Sequence, residues 1–164
     1  MVELCAGHGL VAQMMLLLDR SLSHAVCVDR RRPKSASIVA EVLEAEWPHL
    51  RDRVHYRERP LARAPASEPD AIVVAVHACG TLSDAVIDHV VASHTRLALL
   101  PCCHAYAKSD DGGLGAWMDG DTAIDVTRAF RLRSEGFEVK LATIPEDITP
   151  MNRLLLASPP GGAS

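Results

Sequence analysis

The chain has 164 residues, 48% of them hydrophobic, which is enough apolar surface to build the core of one domain. Its net charge of −4 provides no global attraction for nucleic acid, and an aromatic content of 4% argues against a base-stacking platform. Five cysteines, two of them (Cys5 and Cys27) in predicted core segments, and no apolar run of membrane-spanning length predict a reduced, cytoplasmic chain without a membrane segment.

Met1-Val2-Glu3-Leu4 reads as a short apolar strand. The glycine-containing turn Cys5-Ala6-Gly7-His8-Gly9 follows, and then an apolar helix over Leu10–Leu18. Strand, tight turn and helix is how an α/β protein brings backbone N–H groups and a helix N-terminus up to a nucleotide. The glycine pattern is short of G-x-G-x-x-G, so two other residues carry weight. Glu3 puts a carboxylate in a buried strand, where it needs a partner. Asp29 ends the next apolar run, Ala25–Val28, 20 residues past Gly9, where a carboxylate can accept from both ribose hydroxyls.

The basic run Arg30, Arg31, Arg32 and Lys34 reads first as a solvated helix start; Arg30, next to Asp29, is kept as a cofactor-side candidate. Pro33 suits a first helical turn. Ile38, Val39, Val42, Leu43 and Trp47 then form one apolar stripe on the predicted helix. Val54–Glu58 is a short third strand, with Glu58 at its carboxyl end. Pro60 to Pro69 is an exposed loop.

Ala71–Val76 is the clearest strand, almost uniformly apolar and β-branched, as in a central parallel strand covered on both faces. It delivers His77, Ala78 and Cys79 to its carboxyl end. Thr81 and Asp84 resemble a capping box for the next helix, which should bury Leu82, Val86, Ile87, Val90 and Val91. Leu97–Leu100 is the fifth strand and delivers Pro101, Cys102, Cys103 and His104. Ala105 to Gly120 reads as a mobile loop, a candidate lid. Thr122–Glu135 is helical, with Gly136 as the residue that ends it. Phe137–Ile144 and Arg153–Ser158 are strands whose link is too short for a helical crossover, so they pair antiparallel. Residues 159–164 form a frayed tail after a single domain over residues 1–158.

Three roles compete for His77, Cys79, Cys102, Cys103 and His104. A metal site is disfavoured, because Cys102 and Cys103 are adjacent and neighbouring strand residues point to opposite faces. No metal is expected, and the chain should fold without zinc. Burial as small apolar side chains suits Cys102. Substrate handling suits His77, Cys79 and His104: His104 as proton acceptor, His77 as an orienting hydrogen-bond partner near the cofactor. In a doubly wound sheet ligands bind outside the carboxyl ends of the strands where the order reverses, so Cys5–Gly9 and His77–Cys79 should face one crevice.

Val-Glu-Leu-Cys-Ala-Gly-His-Gly resembles the first motif of class I S-adenosylmethionine (SAM) dependent methyltransferases, acidic-x-Gly-x-Gly-x-Gly. Glu3, Gly7 and Gly9 match, and Cys5 stands where the first glycine would be. Asp29 matches the acidic residue after the second strand. His77-Ala78-Cys79-Gly80 and Pro101-Cys102-Cys103-His104 further resemble a subfamily that includes a eukaryotic tRNA 2′-O-methyltransferase. The resemblance implies a Rossmann-like sheet in the order 3-2-1-4-5-7-6, mostly parallel with a C-terminal antiparallel hairpin and helices on both faces. It implies SAM as cofactor, held by Glu3, Cys5, Ala6, Gly7, Gly9, Asp29, Arg30, Glu58 and His77. The acceptor stays open between RNA and a small molecule, and an oligomer is compatible with either. The motif usual for amino acceptors after strand four is replaced by His-Ala-Cys-Gly, which weakens base N-methylation. The alternative is a catalytically silent SAM-fold module completed by an N-terminal segment or partner.

Overall fold

A computed structural model, which describes residues 1–161, contains seven strands and four α-helices among those residues. They are β1 (Val2–Leu4), α1 (Leu10–Leu18), β2 (Ala25–Asp29), α2 (Ser35–Glu46), β3 (Val54–Glu58), β4 (Ile72–Val76), α3 (Thr81–Ser93), β5 (Arg96–Leu100), α4 (Gly120–Ser134), β6 (Glu138–Thr143) and β7 (Arg153–Ser158). The strands form one sheet in the order β3-β2-β1-β4-β5-β7-β6. The pairs β1–β2, β2–β3 and β4–β5 are parallel; β7 runs antiparallel to both β5 and β6. Residues 162–164 of the expected tail lie outside the described residues. Among the described residues no helix is long and apolar enough to cross a membrane.

By internal packing the chain falls into two units, Met1–Pro65 and the residues from Ala66 onward. In the first, β1 and β2 pair in the register Glu3 to Cys27, and β2 and β3 pair up to Asp29 and Glu58. Leu4, Ala12, Leu16, Ala25, Cys27, Val28 and Leu50 are buried. Each large apolar side chain so buried contributes about 1.5–3 kcal/mol. The stripe expected on α2 faces this core only in part: Val39 and Leu43 are half-buried. Ala36 is the helix's buried residue, while Ile38 and Val42 are 62% and 63% exposed. α1 likewise turns Leu10, Met14 and Leu18 outward, at i, i+4 and i+8. Periodicity fixes which residues share a face, but not which of two apolar faces the sheet covers.

In the second unit β4 and β5 lie under α3, whose buried residues are Ser83, Val86, Ile87 and Val90; Leu82 is instead 43% exposed. The expected capping box is absent. Gly80 is the N-cap, and the Asp84 carboxylate pairs with Arg128. α4 starts two residues earlier than its periodicity suggests, because the Asp119 side chain accepts from Thr122 N–H at 3.0 Å. It ends on Gly136 (φ 87), where Gly136 N–H donates to Arg133 O and Phe137 N–H to Leu132 O. Those two bonds satisfy carbonyls a helix end would otherwise leave open. The stretch expected as a lid carries a one-turn 3₁₀ helix, Leu114–Ala116. Its glycines Gly112 and Gly113 donate to the side chains of Asp110 and Asp111.

Candidate active site

β1 stops at Leu4, and the chain then turns through left-handed conformations at Cys5 (φ 56), Gly7 (φ 52) and Gly9 (φ 71). The two glycines serve different ends. A Cβ on Gly9 would meet Cys27 Sγ at 3.0 Å, so Gly9 lets the loop lie against β2. A Cβ on Gly7 would meet nothing within 4 Å, so the chain approaches open space there. Cys5 adopts a glycine-like φ despite its side chain, which costs about 1–2 kcal/mol of backbone strain.

The loop is clamped from the neighbouring strands. Gly7 N–H donates to Asp29 Oδ2 at 2.9 Å, and the Tyr56 hydroxyl donates to Gly7 O at 2.6 Å. Ala6 N–H reaches Val28 O, and Gly9 N–H closes the turn on Ala6 O at 2.8 Å. The Arg32 guanidinium sits 5.3 Å from the Tyr56 ring centroid, a cation–π contact, so one member of the basic run has a structural task. Burial, and then the charge of Asp29, hold the Tyr56 hydroxyl above its ordinary range, so it stays a donor. Sequence reasoning missed Tyr56. The available signal was an aromatic with a polar tip flanked by the exposed His55 and Arg57. Asp29 and the exposed Glu58 stand level at the carboxyl ends of β2 and β3. Arg30 is exposed beside them, and His8 Nε2 lies 2.8 Å from Ser35 Oγ at the start of α2.

Glu3 has the partner its burial requires. It is 4% exposed, and its Oε2 accepts from Ala12 N–H at 2.8 Å. Ala12 is the third residue of α1, and the N-cap Gly9 has no side chain to offer. A carboxylate on the strand thus satisfies an N–H at the positive end of the helix. Cys27 Sγ approaches the same oxygen at 3.7 Å, and burial, with Glu3 beside it, pushes the Cys27 thiol up to about 12. Burial raises Glu3 to about 7, against the opposing effect of the Ala12 hydrogen bond. Folded protein therefore keeps this proton between about pH 4.5 and 7, where the unfolded chain has lost it. Stability should fall as pH rises through that window, by about 3 kcal/mol in total. Denaturant titrations at pH 5 and pH 8 check this: Glu3→Gln should flatten the slope and be the more stable protein at pH 8.

In the second unit the ends of β4 and β5 carry the other candidates. His77 is exposed and has φ 67, an uncommon conformation for a side-chain-bearing residue. Cys79 is exposed beyond it. Ser83 Oγ donates to Ala78 O at 2.6 Å, and Arg128 Nη2 donates to Gly80 O at 3.0 Å, so the loop is tied at two points. Cys102 and Cys103 do not diverge as adjacent strand residues would. β5 ends at Leu100, Pro101 cannot extend the ladder, and both cysteines lie in the loop. Their sulfurs and that of Cys79 all lie within 4.8 Å of one another.

The His104 side chain is 1% exposed, unlike the accessible proton acceptor expected from the sequence. Its Nε2 lies 2.8 Å from Asp125 Oδ1, and its Nδ1 is 3.2 Å from Asp121 Oδ1 without hydrogen-bond alignment. Asp125 also accepts from Arg128 at 3.2 Å and from Arg153 Nε at 2.9 Å. None of these partners was visible as a pattern, since each sits on a different turn of α4 or on β7. Beside this cluster a cavity of about 320 Å³ opens between Pro101, Thr122, Val126, Leu141, Thr143 and Arg153.

A family model described as "Methyltransferase domain" matches residues 1–109. No curated protein matches the sequence. Among solved structures, the chain is similar to the S-adenosylmethionine-dependent methyltransferase SibL in its apo form, with a TM-score of 0.62 and 16% identity over 97% of this chain and 50% of that one. It spans half the length of that protein. It is also similar to magnesium protoporphyrin IX methyltransferase (ChlM) from Synechocystis PCC 6803 with bound SAH (TM-score 0.56, 14% identity, 96% of this chain and 73% of that one). A third is an rRNA methylase from Streptococcus thermophilus (TM-score 0.57, 12% identity, 96% of this chain and 85% of that one). At these identities the likeness is one of fold.

Proposed function

The chain belongs to the methyltransferase-domain family, and from that premise we propose that it is a SAM-dependent methyltransferase whose cofactor is held by the Glu3–Gly9 segment, Asp29 and Glu58. The observation that carries this is the clamped Gly7: its N–H and C=O are both fixed, by Asp29 and Tyr56, while open space lies where its side chain would be. Those residues fit SAM chemically. Two carboxylates at the ends of β2 and β3 suit hydroxyl and amine donors, and the turn lets backbone come close to a ligand. Glu3 acts on the cofactor site through α1, whose N-terminus it fixes.

The bound cofactor supplies a methyl carbon made electrophilic by its sulfonium charge. The protein's own share is to align the acceptor, exclude water and receive a proton where the acceptor carries one. His77, exposed at the end of β4, is the residue we assign to that acceptor contact. His104 holds Asp125 in place instead of meeting the acceptor, because both of its ring nitrogens face carboxylates. Cys79 is taken up below. The acceptor class is read by following S-adenosylhomocysteine release on RNA and on a small-molecule extract separately. Release on one of the two alone assigns the acceptor class.

Calorimetry tests the cofactor assignment. SAM and S-adenosylhomocysteine should bind one per chain and NAD should not. Gly7→Val should abolish SAM binding, because it fills the open side of the turn and forces a β-branched residue into a left-handed conformation. Normal SAM binding by a folded Gly7→Val protein would reduce the loop to an ordinary turn.

A further inference from the structure

We propose that Cys79, Cys102 and Cys103 form a three-thiolate site for a thiophilic divalent cation of the zinc type. The three thiols come from two loops, after β4 and after β5, and every pair of sulfurs is within 4.8 Å, with Cys79 and Cys102 at 3.0 Å. At a Zn–S distance of about 2.3 Å, three sulfurs on one tetrahedral ion stand roughly 3.8 Å apart. The observed spread straddles that value, so side-chain rotation alone can close the shell.

The backbone beneath is already fixed. Gly80 N–H donates to Cys103 O at 2.5 Å, which ties the two loops together. A Cβ on Gly80 would press on Ala105 Cβ at 3.3 Å, so the glycine is what allows that approach. Arg128 holds Gly80 O from the other side. Two of the three thiols, Cys79 and Cys103, are exposed, which gives an ion a path in and leaves a fourth position open to water or another ligand. Burial, and then the neighbouring thiols, push the Cys102 thiol up to about 12. Binding exchanges S–H protons for S–metal bonds: up to three protons go to solvent as the ion loses water ligands.

The site departs from the sequence expectation of no metal, which applied strand alternation to Cys102 and Cys103 although both lie past Leu100, where the strand ends. It is an accessory site on a formed core. The chain's apolar packing does not depend on it.

The test uses the full chain, kept reduced and free of chelator, titrated with cobalt(II) as a spectroscopic stand-in. One equivalent should bind with sulfur-to-cobalt charge-transfer intensity for three thiolates and with release of protons, and zinc should displace it. Cys79→Ser and Cys103→Ser replace exposed residues, so the fold should be kept. Each should lower the intensity by about one third and weaken binding by more than the roughly 100-fold that loss of an outer-shell partner can cost. A reduced wild-type protein that takes up no cobalt would overturn the site. So would either serine variant retaining full intensity. None of these readouts depends on SAM binding, so the site and the proposed activity stand or fall separately.

Discussion

Arg128→Ala should destabilise the protein by about 3–5 kcal/mol, the cost of removing one partner from a buried ion pair. Arg128 is 2% exposed. Its Nε and Nη2 meet Asp84 Oδ1 and Oδ2 at 2.8 and 3.0 Å, a two-pronged contact that only a guanidinium can make. Its Nη1 reaches Asp125 at 3.2 Å and its Nη2 also reaches Gly80 O at 3.0 Å. Without it, Asp84 and Asp125 lose their shared cation, and the loop of His77–Gly80 loses one of its ties. A typical domain has about 5–15 kcal/mol of stability in total, so the variant should unfold at much lower urea. Arg128→Lys keeps the charge without the fork and should fall between. A cost below 1 kcal/mol in urea titrations would mean that the network carries little of the fold.

Asp29→Ala should weaken SAM binding by about 10- to 150-fold, from the loss of charge-assisted hydrogen bonds worth roughly 1.5–3 kcal/mol. Two effects act in the same direction. The carboxylate at the end of β2 is the group expected to accept from the ribose hydroxyls of the proposed cofactor. The same group also holds Gly7 N–H at 2.9 Å, so its removal loosens the turn. Asp29→Asn separates them, since an amide oxygen can still accept from Gly7 while the charge is gone. Undiminished affinity in the alanine variant by calorimetry would remove Asp29 from the site.

The strand bounds were legible because their signals are local, whereas the strand order came from the family resemblance. β3, β7 and α1 have the bounds their apolar runs suggest, and the short link after β6 requires an antiparallel return. The Gly7–Asp29 pairing was half legible: spacing brought both to the same end of the sheet, but not to each other. The Arg128 network was not legible. Asp84 and Arg128 are 44 residues apart, and nothing in either segment marks a partner. α2 misled for a different reason. Its apolar stripe is real, yet Ile38 and Val42 face outward, because an amphipathic period says nothing about which side a sheet occupies. The three sulfurs were hidden by a rule carried too far: the fifth strand was expected to end at Leu100, as it does, yet strand alternation was applied to Cys102 and Cys103 in the loop beyond it, where they converge with Cys79.

The clamp on Gly7 has a consequence for rates. A loop that must be ordered by its ligand loses about 1–2 kcal/mol of backbone entropy per residue at the moment of binding, and often closes slowly. Here Ala6, Gly7 and Gly9 are ordered during folding, by hydrogen bonds from β2 and β3 and within the turn. A ligand bound as proposed would meet a surface with little left to rearrange. For the proposed SAM site, encounter and the shedding of water, not closure of this turn, should then set how fast it fills, and differences in affinity among related ligands should fall on how fast they leave.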